Sequence, residues 1–512
     1  MHVALTNADL WGVEGDTLVL RDGLIEAIGW EDSLRQALEG AREVDVEGAS
    51  IIPALHESHA HPYVYGKHSI DLRGVRSVEE LVRILKSFIT RGNHPYVIGR
   101  GWDHELFKER RMPCISDLDR ASEEVPIIII RFCGHVGVIN SAMLKHVSEA
   151  GAYGRLAKYL EVRDGRPTGI VIEDGIQIVL NTLPKPSLKE RVEGVARLLR
   201  EYLSYGVTYV NFMSVSMDEL PVIDQAVSSV ESVNVAAYVD EADVVGRPDV
   251  RGLPSSVGRV AVAGVKTFAD GSLGGRTAYL REPYSDSDTR GVLLKRSSEL
   301  LRLWERVRGL RPGAELAIHA IGDAALDEVL KFIRDAGGAE GIRVEHASLA
   351  PPDVIEGLSE SGVRVAVQPH FLVSDWWVER RLGRRARWVY PFRSMLKSGV
   401  MLHGSSDYPV EPLNPYLGMS AACSRGMLQY LGLTEALSVE EALSLYLRDP
   451  FFGATSLSGG ARADIVILDA RLRSVKPYDL AAVRPAAVIV GGRVKVLGVQ
   501  SPLVEKLSQL PR

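Results

Sequence analysis

Short apolar runs alternate with amphipathic helical patterns from about residue 50 onward, which is typical of a parallel sheet with helical crossovers. The runs VAVAGVKTF and ELAIHA are two such strands, and AALDEVLKFIRDA is a helix from the same region. The pattern predicts eight strands, at Ile51–His61, Val207–Phe212, Val233–Val239, Val260–Phe268, Glu315–Ala320, Arg343–Ser348, Arg364–Phe371 and Met401–Asp407. Eight parallel strands with crossover helices close most simply into a (β/α)8 TIM barrel, although the pattern alone also allows a doubly wound sheet.

Two parts of the chain depart from this regular pattern. Residues 62–203 separate the first two strands, whereas a βα connection normally has about 2–6 residues. They contain a helical pattern and an isoleucine-rich strand, so we expect an inserted α+β subdomain there, within a barrel of residues 51–454. Residues 1–50 and 455–512 both show short alternating strands with glycine turns, and we expect them to bury their apolar faces in one composite β-sandwich.

Composition and charge exclude several classes of function. The 512 residues are 46% hydrophobic and 25% charged, as in an ordinary globular protein, and a net charge of −6 gives no basic surface for nucleic acid or an anionic membrane. No signal sequence or membrane span is recognisable, and the three cysteines form no disulfide pattern. We therefore expect a cytoplasmic protein that acts on a small molecule, with a homo-oligomer left open.

Histidines close to the end of the first strand are the first candidate chemistry. The chain has only 13 histidines, and two of them, His59 and His61, stand two residues apart. Side chains at that spacing share one face of a strand, so both imidazoles can chelate Zn²⁺ or a similar cation. Taken alone, the pair fits a structural role equally well.

Further metal-binding residue types stand at the ends of other predicted strands. A lysine in the apolar strand VAVAGVKTF must be paired or lose its proton, or it reacts with CO₂ to give a carbamate that can bridge two metal ions. Because barrel enzymes keep their active sites at the carboxyl ends of the strands, these residues together predict a metal site. Its ligands would be His59, His61, Lys266, His319, His346 and Asp407.

The order HxH, Lys, His, His, Asp resembles that of the amidohydrolase superfamily. Several sequence segments are similar to those of the amidohydrolase-3 branch, which includes YtcJ-like proteins and N-substituted formamide deformylases. Examples are GVKTFADGSLGGRTA, AIHAIGDAALD, RVEHA and SSDYPVEPLNP. The first ligand motif departs from the family pattern, because Ala54 stands where glycine is usual, His56 where a hydrophobic residue is usual and Glu57 where aspartate is usual. Strict alternation turns His56 away from His59, so we expect it to be a core or supporting residue.

The resemblance implies a hydrolase that cleaves a C–N bond, in an amide, formamide or related group, by metal-activated hydroxide. It implies one or two divalent ions, zinc being the expected metal, and a carbamylated Lys266. Asp407 would carry the proton, and His135 in the insertion would contact the substrate carbonyl. Arg276 would either bind a substrate oxygen or anchor the loop after the fourth strand. Glu345 is expected to alternate to the other face of its strand as an ion-paired structural residue.

Two other functions are compatible with the same fold. The site could act on another bond, as an esterase, a lactonase or a lyase, since fold and metal do not fix the reaction. The chain could also be a non-catalytic regulatory member, but such members typically lose ligands and this sequence retains the full set.

Overall fold

Eight parallel strands and one short antiparallel strand, Ser256–Val257, form the central sheet in the computed structural model, which describes residues 2–62, 68–131, 134, 136–245, 250–498 and 502–510. The parallel strands are β1 (Leu55–Ala60), β2 (Val207–Val215), β3 (Asn234–Asp240), β4 (Val260–Phe268), β5 (Glu315–Ala320), β6 (Ile342–His346), β7 (Arg364–Val367) and β8 (Met401–Gly404). The sheet closes between β1 and the segment after β8, where the amide of His61 donates to the carbonyl of Tyr408 at 2.7 Å. The predicted (β/α)8 fold is confirmed.

Amphipathic helices follow most of these strands. In the helix after β5, for example, Leu326, Val329, Leu330 and Ile333 are buried at the three- and four-residue spacing of a single helix face. The longer helices of this region span Leu188–Ser204, Leu220–Val230, Ser297–Leu310, Asp323–Asp335, Pro352–Ser361 and Pro415–Ser424. Shorter ones span Ala242–Val245, Phe371–Ser374, Val378–Leu382, Phe392–Lys397 and Val439–Ser444.

The two ends of the chain combine in two further sheets. One sheet has four strands, at His2–Thr6, Thr17–Arg21, Leu24–Gly29 and Arg42–Asp45. The other has five, at Asp9–Leu10, Ser50–Pro53, Ile465–Leu468, Pro485–Val490 and Arg493–Leu497. One apolar core contains residues of both sheets and of the helix Pro502–Leu507, so the amino- and carboxyl-terminal segments bury their apolar faces together.

The first predicted strand is in fact two strands. Ser50–Pro53 pairs antiparallel with Ile465–Leu468 in the terminal sheet, whereas Leu55–Ala60 belongs to the barrel. The chain changes sheets at Ala54, whose amide donates to Asp464 and whose carbonyl accepts from Thr455. The apolar pattern continues across this residue, so it could not show the break.

Residues Tyr63–Gly194 form a second compact unit, distinct from Met1–Pro62 with Val195–Arg512. Its sheet has six strands, at Ser69–Asp71, Val97–Trp102, Ile127–Arg131, Val136–Ile139, Leu160–Arg163 and Arg166–Ile172. Its helices are Val78–Arg91, Ile115–Asp119, Ser141–Glu149, Tyr153–Leu156 and Asp174–Leu180. Successive isoleucines of Ile127–Arg131 alternate between two apolar cores, which explains why this strand is apolar on both faces.

Within the described part of the chain, no helix combines the length and the apolar character needed to cross a membrane.

Candidate metal centre

The six predicted ligands lie close together at the carboxyl ends of the barrel strands. Asp407 Oδ1 is 3.3 Å from His59 Nε2 and 3.2 Å from His61 Nε2, and Lys266 Nζ is 3.5 Å from His59 Nε2. The ring of His346 lies 4.9 Å from that of His59 and 4.4 Å from that of His319, measured between centroids. The fold therefore brings residues from five places in the sequence to one cluster.

Hydrogen bonds fix the orientation of the two β1 imidazoles. His59 Nδ1 lies 2.5 Å from Glu345 Oε2, and His61 Nδ1 lies 3.0 Å from the carbonyl oxygen of Met213. A carbonyl or carboxylate oxygen only accepts, so each ring carries its hydrogen on Nδ1. The lone pair of Nε2 is thereby directed towards Asp407 in both rings.

The other two imidazoles are oriented in the same way. His346 Nδ1 donates to Gln368 Oε1 at 2.7 Å, while the amide nitrogen of Gln368 donates to Ser405. His319 Nε2 donates to the carbonyl of Gly271 at 3.0 Å. His346 therefore offers Nε2 and His319 offers Nδ1 as the atom that can bind a metal.

Burial keeps the imidazoles of His61, His319 and His346 neutral. Burial lowers the pKa of His319 to about 3, and it lowers the pKa values of His61 and His346 below the usual value as well. Burial alone would raise the pKa of Asp407, but its close contacts with His59, His61 and His346 together outweigh burial and hold that pKa well below its usual value. Neutral imidazoles beside an ionised carboxylate are the protonation states in which these groups bind a metal.

A divalent cation fits the space between these atoms. His59 Nε2, His61 Nε2 and Asp407 Oδ1 form a candidate ligand group, and the buried Oδ1 accepts no hydrogen bond from the described residues. With the hydrogens on the two Nδ1 atoms, three acceptors face one another. Such an arrangement is stabilised by a cation, and a set of nitrogen and oxygen donors suits zinc and related ions.

Lys266 lies fully inside this cluster. Its side chain is buried, and its Nζ is 5.0 Å from the centre of the Phe268 ring. Burial lowers the pKa of Lys266 to about 8, although the nearby Glu345 and Asp407 act in the opposite direction. The amine is therefore far easier to deprotonate than that of an exposed lysine.

Two of the ligands have an unusual backbone conformation. His346 has a φ of 76° and Asp407 a φ of 58°, in the left-handed region that residues other than glycine rarely adopt. Strain of this kind persists only where surrounding contacts hold it, and it concentrates at functional sites. At His346 it also ends the strict alternation of β6, so that Glu345 and His346 both reach the cluster.

Glu345 is thus a residue whose role the sequence pattern only partly predicts. The expected ion pair exists, with Arg343 Nε 2.5 Å from Glu345 Oε1. The prediction that Glu345 points away from the site is wrong, because its second oxygen bonds His59 Nδ1. The alternation of side chains between the two faces of β6 fails here because His346 has a positive φ.

Glu57, which replaces the usual aspartate of the first motif, holds the Asp407 loop next to β1 through hydrogen bonds. Its buried carboxylate accepts from the amide of His59 at 3.1 Å and from the amide and hydroxyl of Ser406 at 3.0 and 2.7 Å. Burial raises the pKa of Glu57 to about 8. The sequence signal was its position two residues before the first candidate ligand, His59, but nothing in the pattern named its partner.

Asp270 organises the loop after β4, and the sequence analysis missed it. Its buried carboxylate accepts from the backbone amides of Tyr279, Ile321 and Gly322 at 2.8–3.0 Å, and burial raises its pKa to about 7. It thereby ties this loop to the end of β5, next to His319. An acidic residue directly after a buried strand was the available signal.

Arg276 forms a bidentate ion pair with Asp286, at 3.0 and 2.9 Å, and Asp286 is also bound by Arg381. This contact corresponds to the loop-anchoring alternative, and a substrate contact by Arg276 stays a prediction. The predicted substrate-binding residue His135 lies outside the described residues.

His56 packs away from the ligand cluster, on the ring of Tyr209 at a centroid distance of 4.6 Å. Burial lowers its pKa to about 4, which keeps it neutral. The geometry agrees with the expectation that it supports the core.

Comparison with known proteins shows similarity over nearly the full length. The Amidohydrolase family model matches residues 42–496. The putative amidohydrolase YtcJ of Bacillus subtilis (strain 168) is 26% identical, with 94% of this chain and 96% of that protein aligned. The N-substituted formamide deformylase of Arthrobacter pascens is 24% identical, with 88% of this chain and 89% of that protein aligned. The crystal structure of an uncharacterized metal-dependent hydrolase from Pyrococcus horikoshii OT3 has a TM-score of 0.73 at 32% identity and covers 93% of this chain and 99% of its own.

Proposed function

We propose that this chain, which belongs to the amidohydrolase family, hydrolyses a C–N bond in an amide, a formamide or a related small molecule. The observation that carries the proposal is the cluster itself. Two oriented imidazoles meet the buried Asp407 Oδ1, which has no hydrogen-bond donor among the described residues, and Lys266 and two more imidazoles lie close by. Purely structural histidines would not need their lone pairs to converge.

The residues that would hold the metal are His59, His61, His319, His346 and Asp407, with zinc as the proposed ion. When bound, such a cation supplies Lewis acidity, which lowers the pKa of a water molecule and polarises a substrate carbonyl. The protein contributes the orientation of each donor. The four acceptor oxygens on the outer side of the imidazoles keep the lone pairs aimed inward.

Asp407 is the proposed proton carrier. Its carboxylate is ionised and buried, and the loop that carries it is tied to β1 through Glu57. In the proposed reaction it accepts the proton of the attacking water and then delivers it to the nitrogen that leaves. General acid–base transfer requires a positioned group of this kind.

A carbamate on Lys266 is part of the proposal. A deprotonated amine attacks CO₂, a C–N bond forms and a proton is released, which leaves an anionic group with two oxygens. The lowered pKa of Lys266 and its burial beside His59 support this modification. With the carbamate two ions can be held, and without it one.

Formamides are the first substrate class to test. The Arthrobacter pascens relative is named for N-substituted formamides, although its identity to this chain is only 24%. We further propose a cytoplasmic location, which is compatible with the free thiols of Cys114 and Cys423 among the described cysteines.

The experiment combines metal analysis with a hydrolase screen on purified protein. We expect wild type to retain a divalent metal and to hydrolyse at least one member of a panel of formamides, N-acyl amino acids, cyclic ureas and lactones. His59→Ala and His346→Ala should lose both the metal and the activity, because each removes a ligand. His146→Ala is the matched control, since His146 bonds the carbonyl of Thr182 in the second unit, and it should behave as wild type. Normal metal content and turnover in His59→Ala would place the site elsewhere.

A second experiment tests the carbamate. Lys266→Ala should lose metal and activity, and acetate should partly restore both, because a small carboxylate can occupy the position of the bridging group. Metal content and turnover are measured with and without acetate, and formate serves as a smaller carboxylate. Unchanged metal content in Lys266→Ala would make this lysine a structural residue.

A further inference from the structure

A chain of charged and polar side chains runs through the barrel interior from His59 to the opposite, amino-terminal ends of the strands. It involves five strands and consists of His59, Glu345, Arg343, Tyr238, Glu315 and Arg364. We infer that Arg343, Tyr238 and Glu315 are positioning residues that act through Glu345 to fix the metal-binding imidazole of His59. This inference rests on the proposed metal-dependent function.

The first part of the chain joins His59 to a fully buried ion pair. Glu345 accepts from His59 Nδ1 through one oxygen and from Arg343 Nε through the other, each at 2.5 Å. Arg343 also donates to Glu345 Oε2 at 3.1 Å and to the carbonyl of Ser58 at 2.7 Å. The carboxylate is thus held from two sides, and the guanidinium is tied to the backbone directly before His59.

Glu345 and Arg343 form a close ion pair. Arg343 Nε lies 2.5 Å from Glu345 Oε1, and both side chains are fully buried. An ionised carboxylate is a stronger acceptor for the Nδ1 hydrogen than a neutral one, and it makes Nε2 of the same ring a better metal ligand.

The second part of the chain extends from Arg343 to the far end of the barrel. The hydroxyl of Tyr238 accepts from Arg343 Nη1 at 3.3 Å and donates to Glu315 Oε2 at 2.5 Å. Arg343 also lies over the Tyr238 ring, at 5.0 Å from its centroid. Glu315, the first residue of β5, is paired with Arg364, the first residue of β7, at 3.0 Å. Positive and negative groups therefore alternate along the whole chain.

Barrel stability does not require this arrangement. The interiors of such barrels are mostly filled by layers of branched apolar side chains, and a buried ion pair is commonly no more stabilising than apolar residues of the same volume. Here the polar chain replaces part of that filling and ends on a predicted metal ligand.

The test measures Co²⁺ affinity by competition with a chelator, read from visible absorption, so it needs no substrate. Glu345→Gln should weaken binding by about 10–100-fold, as expected when a partner of a metal ligand is changed. Tyr238→Phe removes only the hydroxyl that links Arg343 to Glu315, and it should weaken binding by about 3–10-fold. In the Glu345→Gln background the same change should add less than about 2-fold, because coupled residues are not additive.

Tyr416→Phe is the matched control. Tyr416 is also fully buried in the same unit, and its hydroxyl donates to the carbonyl of Tyr205 at 3.1 Å. It takes no part in the series of hydrogen bonds from His59 to Arg364. It should bind Co²⁺ within about 2-fold of wild type. If Tyr238→Phe does not fold, Glu315→Gln at the open end of the barrel takes its place, with the same expected 3–10-fold loss.

Unchanged Co²⁺ affinity in the folded Tyr238 or Glu315 variant would overturn the inference. Additive effects with Glu345→Gln, or an equal loss in Tyr416→Phe, would overturn it as well. If wild type binds Co²⁺ but hydrolyses nothing in the screen, the proposed function fails while the affinities still decide the positioning role. If wild type binds no metal, both fail together.

Discussion

Asp407 differs from the other candidate ligands because it lies on a loop three residues beyond the end of its strand, whereas the others lie within a strand or, for His61, directly after one. β8 ends at Gly404, and the loop is fixed by the Glu57 contacts and by the amide of Asp407, which donates to the carbonyl of His59 at 2.9 Å. A loop residue held this firmly can be both a ligand and a proton carrier. A substitution that removes the charge of Asp407 but keeps its shape therefore tests the two roles separately.

We therefore predict that Asp407→Asn keeps its metal and loses most of its activity. The amide oxygen still reaches the position between His59 and His61, but it cannot accept and return a proton. The expected loss in kcat is about 10²–10⁴-fold, the usual contribution of general acid–base transfer. Metal content and kcat are measured on the same preparation. Activity within a few-fold of wild type would remove Asp407 from the proton-transfer role.

At the scale of secondary-structure elements, the sequence pattern predicts the barrel strands and their order, but the predicted ends of several strands are wrong. The predicted bounds of β4 and β5 are correct, because each strand is mostly apolar and a glycine follows it closely, at Gly271 and Gly322. The strands β7 and β8 were predicted to extend to Phe371 and Asp407, but they end at Val367 and Gly404. Pro369 follows β7 within two residues and Gly404 closes β8, so the sequence contained a signal for each end that the apolar pattern alone did not show.

The sequence likewise predicts only part of the candidate metal site. The ligand types and their order along the chain are visible in the sequence, since each lies near the end of a buried strand or shortly beyond it. Their supporting partners are not visible, because Glu345 is 286 residues away from His59, and Glu57 holds the Asp407 loop through Ser406, which is 349 residues away. Only the closed barrel places them in contact. Periodicity describes one element at a time and cannot give pairs between elements.

At the scale of the whole molecule, the candidate ligands link segments that are distant in the sequence. They come from β1, β4, β5, β6 and the loop after β8, which only the complete barrel brings within a few ångströms of one another. An unfolded chain cannot offer these atoms together. A metal bound here must therefore stabilise the folded protein relative to the unfolded one.

Removal of the metal should accordingly lower the melting temperature. A ligand at 1,000 times its Kd stabilises the native state by about 4 kcal/mol, so treatment with a chelator should lower Tm by several degrees and added Zn²⁺ should restore it. Differential scanning calorimetry measures both. The His59→Ala variant is the control, because it lacks one ligand and its Tm should respond little to chelator or Zn²⁺. A wild-type Tm that is insensitive to both would show that these side chains hold no structural cation, whereas an equal response in His59→Ala would locate the stabilising ion at another site.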